Sequence, residues 1–186
     1  MLKPIRFAVV LLSLCLSSLS WGASNSECQA TLKQLRALGD TARFIDQAYG
    51  YAVFPTIGKG GIGIGGAYGE GCVYRSGSHT GGVDMGQLTI GLQLGGQVYS
   101  QLVLFKDQSA YDAFTSGAFE FGADASAVAL TFGASAGAGT TGASASAGDS
   151  KSAGRWVGNM AVFTLAKGGL MYEAALGGQK FKFTPN

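Results

Sequence analysis

Glycine is the residue that most constrains how this chain can fold. It supplies 31 of the 186 residues, well above the roughly 7% of an average protein. The glycines alternate with aliphatic and aromatic residues, as in GGIGIGGAYG at residues 60–69. Alternation with a period of two places the larger side chains on one face of a strand. The pattern therefore predicts twisted strands and tight hairpins rather than a linker.

Two segments have a helical period instead. Residues 28–48 carry apolar side chains at steps of three and four, which predicts an amphipathic helix. Gly39 and Asp40 are expected to split it, with Asp40 capping the second piece. The helix either covers a sheet or lies on a membrane surface, and periodicity favours the first. Residues 107–116 predict a short mid-chain helix.

The strand pattern is interrupted by pairs of glycines. Residues 51–75 predict strand, turn and strand, with the turn at KGG, residues 59–61, and residues 87–105 predict two strands around Gly95 and Gly96. Residues 156–183 predict three strands, the first turn being KGG at residues 167–169. The expected fold class is α+β and mostly antiparallel β. It consists of a twisted sheet or partly closed barrel with an N-terminal amphipathic helix and a short mid-chain helix.

The N-terminus has the order of a secretory signal peptide. Lys3 and Arg6 precede an apolar run, and small residues follow it, which predicts a signal over residues 1–23. The run is shorter than the roughly 20 apolar residues of a membrane-spanning helix. Residues 24–186 then form one domain, with a flexible Ala/Gly/Ser loop at about 134–150. The expected location is the periplasm or the periplasmic face of the outer membrane, or outside the cell.

Charge and cysteine content narrow the function classes. Without Lys3 and Arg6, 11 of the 13 basic residues remain against 11 acidic ones, so the processed chain is neutral. A neutral chain has no overall field that attracts nucleic acid. The pair Cys28 and Cys72 would form one disulfide in an oxidising compartment or remain two buried thiols. No cysteine and histidine spacing indicates a metal site.

Catalytic and cofactor motifs are weak. The one histidine, His79, lies in a Gly/Ser-rich turn, which is a poor setting for a base held by an acid. Asp124 is interpreted as a structural carboxylate rather than a general acid. The GxGxxG string at residues 61–66 continues as strand-like alternation and opens no helix, so it does not predict a nucleotide site. The chain is predicted to be non-enzymatic and without a cofactor.

Three blocks of sequence resemble the SYLF, or Ysc84-like, family. They are GYAVFP through KGG to GIGGAYG at residues 50–69, GADAS at residues 122–126 and AKGGL at residues 166–170. The resemblance implies a lipid-binding domain. Eukaryotic relatives bind phosphoinositides or phosphatidic acid, and a fungal branch binds actin. Actin is not expected as a partner of an exported chain, and the segment 81–86 lacks the Trp and Pro common in the family.

Anionic headgroups favour basic side chains beside apolar anchors. The candidate lipid-binding residues lie on the first helix, at the two KGG segments and near the C-terminus: Lys33, Arg36, Arg43, Lys59, Lys167, Lys180 and Lys182. Strand geometry predicts Lys180 and Lys182 on one face and Phe181 and Phe183 on the other. The predicted function is non-catalytic binding of anionic phospholipid or a membrane surface in the envelope. The alternative is a structural protein that binds another envelope protein.

Overall fold

The computed structural model describes residues 22–121, 129–132, 156–169 and 178–186. The predicted signal peptide lies outside the described residues except for its last two positions. Asp124 and the predicted loop at about 134–150 also lie outside them. In the described part of the chain, no helix is both long and apolar enough to cross a membrane.

The N-terminal helical segment is divided into α1, Asn25–Arg36, and α2, Thr41–Gln47. Helix α1 begins earlier than predicted because Ser24 and Glu27 form a capping box, in which each side chain bonds to the other residue's backbone N–H. The break contains Gly39 at φ 46°. Asp40 stands at the start of α2, but its side chain makes no capping hydrogen bond. Asp40 is thus the N-cap residue by position, as predicted, while its carboxylate pairs with Arg43 at 3.4 Å.

Two long strands form the centre of the sheet. Strand β1 is Gly50–Arg75 and strand β2 is Ser78–Phe105, and they pair antiparallel. Their connection is a two-residue turn in which Ser76 and Gly77 both have positive φ, which suits a strongly twisted hairpin.

The predicted turns inside these strands are not separate turns. Lys59 pairs with Gln97, and Gly60 pairs with Gly96, within the ladder of β1 and β2. Strand β1 nevertheless turns back on itself just beyond Gly61. The sign of this is that a Cβ added to Gly61 would lie only 2.3 Å from Gly65 Cα. Further along, a Cβ on Gly71 would lie 2.5 Å from Val53 O, so the two halves of β1 run side by side. Glycine allows this close approach and lets the ladder continue around the bend.

The remaining elements extend the sheet on both sides. Helix α3 is Gln108–Thr115, as predicted, and Asp107 caps it. The short strands are β3, Phe119–Glu120, and β4, Ala129–Phe132. Strands β5, Met160–Gly169, and β6, Gln179–Pro185, complete the set. The predicted turn at residues 167–169 is thus strand.

Strand β2 organises the whole sheet. Its first part, from Gly81 to Gln87, pairs with β6, and its second part, from Gln97 to Phe105, pairs with β5. The order β3-β6-β2-β5-β4, with β1 beside β2, is antiparallel except for the parallel pair β4 and β5. The sheet curls into a half-barrel.

The curled sheet has an inner and an outer face. On the inner face the rings of Phe54 and Phe181 meet across the curl at 5.6 Å between centroids. Helix α3 contributes Phe114 to the same cluster. Other large inner-face residues include Ile57, Met85, Tyr99, Val103 and Phe105. Part of the outer face packs against α1 and α2.

Candidate functional site

Only part of the outer face lies beneath the helices. Cys28, Leu35, Phe44 and Ile45 of α1 and α2 pack on outer-face side chains that we call the covered half: Val53, Cys72, Tyr74, Leu102, Leu104 and Phe163. All six are at most 1% exposed. This arrangement places α1 as a cover for the sheet.

Two specific links fix α1 to the covered half. Cys28 and Cys72 form a disulfide with a Cα–Cα distance of 6.2 Å. Beside it, the hydroxyl of Tyr74 donates a hydrogen bond to Asn25 Oδ1 at 2.6 Å. Both links connect the first turns of α1 to the second half of β1, so the helix is anchored at its N-terminal end.

The same face continues into an exposed band of large apolar residues. Ile64 is 69% exposed, Tyr68 56%, Leu88 82% and Val98 40%. Tyr68 shares the face of Cys72 by strand alternation, and Val98 shares that of Leu102. These four residues are called the exposed band below. Adjoining exposed apolar residues of this kind commonly mark a binding surface.

Glycine explains why three of these four side chains remain exposed; Ile64 is paired with Ile90 instead. Leu88 pairs with Gly66, Tyr68 pairs with Gly86, and Val98 pairs with Gly58. A large side chain opposite a glycine has no cross-strand partner to pack on. Glycines within the strands therefore leave Leu88, Tyr68 and Val98 without a large cross-strand neighbour.

Two of the predicted lysines flank the exposed band. Lys180 pairs with Gly86, which in turn pairs with Tyr68, so these three residues form one row across the sheet. On the other side, Lys167 precedes Gly168, the β5 partner of Val98, and its Nζ lies 3.5 Å from Thr56 Oγ1. Lysine amines thus stand on both sides of an apolar strip.

The other predicted cations do not join this group. Arg36 pairs with Asp46 and Arg43 with Asp40, which holds both guanidinium groups at the helices. Lys33 is exposed on α1. Lys59 lies in the ladder opposite Gln97. Lys182 pairs in register with Asp84, beyond the end of the band.

The alternation predicted for the last strand is present. Lys180 and Lys182 are exposed, while Phe181 is 2% exposed. Phe183 packs against the inner-face core.

A groove of about 710 Å³ runs beside the band. Glu120 and Lys180 stand on one side of it, and Tyr68 and Leu88 on the other, with glycine backbone between them. Lys180 Nζ and a Glu120 carboxylate oxygen are 3.6 Å apart. The groove thus combines an apolar wall with one positive and one negative group.

Tyr68 carries the hydroxyl of this surface. It donates a hydrogen bond to Glu70 Oε1 at 2.8 Å. That bond, with burial and the charge of Asp84 as smaller causes, raises the pKa of Tyr68 to about 12. The hydroxyl is therefore a neutral donor at physiological pH.

His79 lies beside an aromatic ring and an amide side chain. The His79 ring is tilted against the Tyr74 ring, with 5.3 Å between centroids, and its Nδ1 lies 3.2 Å from the Asn186 side-chain nitrogen. Neither of these two neighbours is a carboxylate that could hold the imidazole as a general base. Among the described residues, no three histidine, cysteine, aspartate or glutamate side chains are placed to hold a metal ion.

Sequence similarity gives the chain a family. A family profile described as Ysc84, Las17-binding protein actin regulator, matches residues 86–184, which is 99 of the 186 residues. The chain belongs to the Ysc84, or SYLF, family. The matched region contains Leu88, Val98, Lys167 and Lys180 of the surface described above. The family is known in general for lipid binding and is not an enzyme family.

One curated relative is similar over much of this chain. Beta cell expansion factor A of Aeromonas veronii is 28% identical over 138 residues, which cover 73% of this chain and 46% of that protein. The chain thus spans about half the length of this SYLF relative.

The exposed band was not predicted from the sequence. Its signal is a large apolar residue paired across the ladder with a glycine, and that signal becomes visible only when the register is known. The lysines at the band were predicted as candidates, but so were five other cations that lie elsewhere.

Proposed function

We propose that this SYLF protein is exported to the cell envelope and binds anionic phospholipid there without catalysing a reaction. The exposed band carries the proposal: four apolar residues lie on one face, with Lys167 and Lys180 beside them. The band would enter the headgroup region, and the lysines would meet phosphate.

The energies of such contacts are adequate for reversible attachment. Removing a Leu or Ile side chain from water is favourable by about 1.5–3 kcal/mol when burial is complete. A lysine near an anionic leaflet adds about 1 kcal/mol. Insertion of Leu88 and Ile64, with two lysines at the surface, would therefore give binding that depends on both anionic lipid and ionic strength.

Two further observations support export. The N-terminal 23 residues have signal-peptide order. The disulfide between Cys28 and Cys72 is a bond that persists in oxidising compartments and is rare in the cytosol. Fractionation of cells that express the full-length sequence, with mass analysis of the product's N-terminus, tests this part. Recovery of an uncleaved chain in the cytosol would contradict it.

Vesicle co-sedimentation tests the lipid contact. The protein, expressed from its full sequence, is mixed with vesicles of phosphatidylcholine alone or with phosphatidylglycerol added. We expect binding only with the anionic lipid, weakening with salt. The double variant Ile64→Ser/Leu88→Ser should weaken it at least tenfold, because both side chains are largely exposed and their loss removes apolar anchors.

Lys33→Gln is a control outside the exposed band. It removes one exposed charge from α1, away from the band, and should leave binding unchanged. Equal binding of the double variant and the unmodified protein would reject the exposed band as the contact surface.

A protein partner is the other use of an apolar surface. Capture of an envelope protein with no lipid, abolished by Ile64→Ser/Leu88→Ser, would replace the lipid proposal. We do not extend the actin regulation named in the family description to this chain, because an exported protein would not meet actin.

A further inference from the structure

The groove beside the exposed band contains an ion pair whose two groups are too far apart to form a short hydrogen bond. Glu120 of β3 and Lys180 of β6 are cross-strand partners, yet their nearest nitrogen and oxygen are 3.6 Å apart. A charge-assisted hydrogen bond is typically 2.7–2.9 Å long. Both side chains are more than half exposed, 53% for Glu120 and 73% for Lys180. Each group can therefore turn toward a third molecule at little cost.

The floor of the groove is open because it is made of glycine. A Cβ added to Gly86 or to Gly58 would meet nothing within 4 Å, and one added to Gly66 would meet only Gln87 O at 3.5 Å. The space lies next to Leu88 and Tyr68. The groove has a volume of about 710 Å³ and is open to solvent.

We propose that this groove binds the headgroup of a single zwitterionic aminophospholipid. The phosphate lies against Lys180, the primary ammonium lies against Glu120, and the first part of the acyl chains lies along Leu88. This inference rests on the proposed phospholipid binding and adds a headgroup preference to it.

The chemistry of the pair distinguishes headgroups. A headgroup with phosphate alone satisfies Lys180 but leaves its negative charge beside Glu120. A quaternary ammonium carries the right charge but has no N–H to donate to the carboxylate. Only a primary ammonium joined to a phosphate can satisfy both groups through hydrogen bonds.

Short-chain lipids below their micelle concentration separate the groove from the membrane surface. The probes are dihexanoyl phosphatidylethanolamine, phosphatidylcholine and phosphatidylglycerol, titrated against the protein by NMR or calorimetry. We expect the ethanolamine lipid to bind about three- to tenfold more tightly than the other two, as suits exposed ion pairs. Glu120→Gln should remove this preference, and Lys180→Gln should weaken binding of all three.

Two matched controls, at Asp84 and Gly96, lie outside the groove, whereas Gly86→Val lies within it. Asp84→Asn makes the same charge change as Glu120→Gln, at a carboxylate whose strand partner is Lys182. Gly86→Val would fill the floor and abolish binding of the short-chain lipids. Gly96→Val adds the same side chain where an added Cβ would meet only Lys59 O at 3.8 Å, and should have no effect.

Equal affinity for the ethanolamine and choline lipids would overturn the inference, as would an equal loss of preference in Asp84→Asn. A cooperative thermal unfolding transition of Glu120→Gln would show that this variant is folded. Gly86→Val tests the same site without a change of charge. If the protein binds anionic vesicles but the short-chain ethanolamine lipid binds no more tightly than the other two, the groove is rejected and the proposed function stands. If the ethanolamine lipid is preferred but the protein does not bind anionic vesicles, the proposed function is rejected and the groove stands.

Discussion

The two halves of the outer face are built from the same strands but have opposite surroundings. In the covered half, Val53, Leu102 and Phe163 are fully buried beneath α1 and α2. In the exposed band, Leu88 and Ile64 have most of their surface in water. The difference comes from where the helices end and from the glycines paired with the band. One face of a sheet thus serves as core at one end and as contact surface at the other.

Truncating one side chain in each half of the outer face should have very different effects on the free energy of unfolding. Phe163→Ala should lower the free energy of unfolding by about 4 kcal/mol, because it leaves a cavity under α2. Leu88→Ala should change it by no more than about 0.5 kcal/mol, since Leu88 is mostly exposed. Guanidinium unfolding of both variants measures the difference. Similar losses in the two would break the comparison.

The disulfide is expected to stabilise the protein on the covered side. Cys28 and Cys72 are 44 residues apart, and cross-linking a loop of that size corresponds to about 4 kcal/mol in the chain-entropy description. Cys28→Ala/Cys72→Ala should lower the free energy of unfolding by up to that amount. Unfolding with and without reductant gives an independent measurement. An unchanged midpoint would show that packing alone holds α1 in place.

Alkaline pH should distinguish a buried tyrosine from one in the band. Burial raises the pKa of Tyr99 to about 12, against about 10 in the unfolded chain. Below pH 10 the hydroxyl is protonated in both states. As pH rises from 10 through 12 the unfolded state ionises first, so about 3 kcal/mol of stability is lost.

Two phenylalanine variants test this assignment through unfolding at pH 9 and pH 11.5. Tyr99→Phe should reduce the alkaline loss of stability. Tyr68→Phe should affect it much less, although the pKa of Tyr68 is also raised to about 12, because Tyr68 is exposed and its shift arises chiefly from the bond to Glu70. An equal response from the two variants would contradict the assignment.

Much of the fold could be predicted because its signals are local. Period-two alternation over residues 51–75 indicates strand wherever its partner lies. Ser24 and Glu27, three residues apart, are likewise enough to cap α1. The turns predicted at glycine pairs were misplaced: Lys59, Gly95 and Lys167 all lie in strands, and β1 bends just beyond Gly61 instead. Locally, a glycine pair indicates a turn, but paired strands on either side can keep it extended.

The exposed band and its groove depend on register, which local sequence does not specify. Leu88 is exposed because Gly66, 22 positions away in the chain, lies opposite to it. Lys180 is paired with Glu120, which is 60 positions away. Arg36 and Arg43 met every compositional criterion for lipid contact, yet nearby aspartates hold them at the helices. Arg43 and Asp40 are three residues apart, so local sequence is enough to suggest their pairing. Arg36 and Asp46 belong to different helices, so their pairing depends on how α1 and α2 pack.

The sequence by itself determined that this chain is a glycine-rich, strand-forming SYLF protein with a leader-like N-terminus and two cysteines available for pairing. Those properties reside in composition, period and motif, which neighbouring residues carry. The tertiary structure alone decided which half of the outer face is covered and which lysines flank an apolar strip. These outcomes depend on contacts between residues tens of positions apart, and chain folding sets those contacts through packing and strand register.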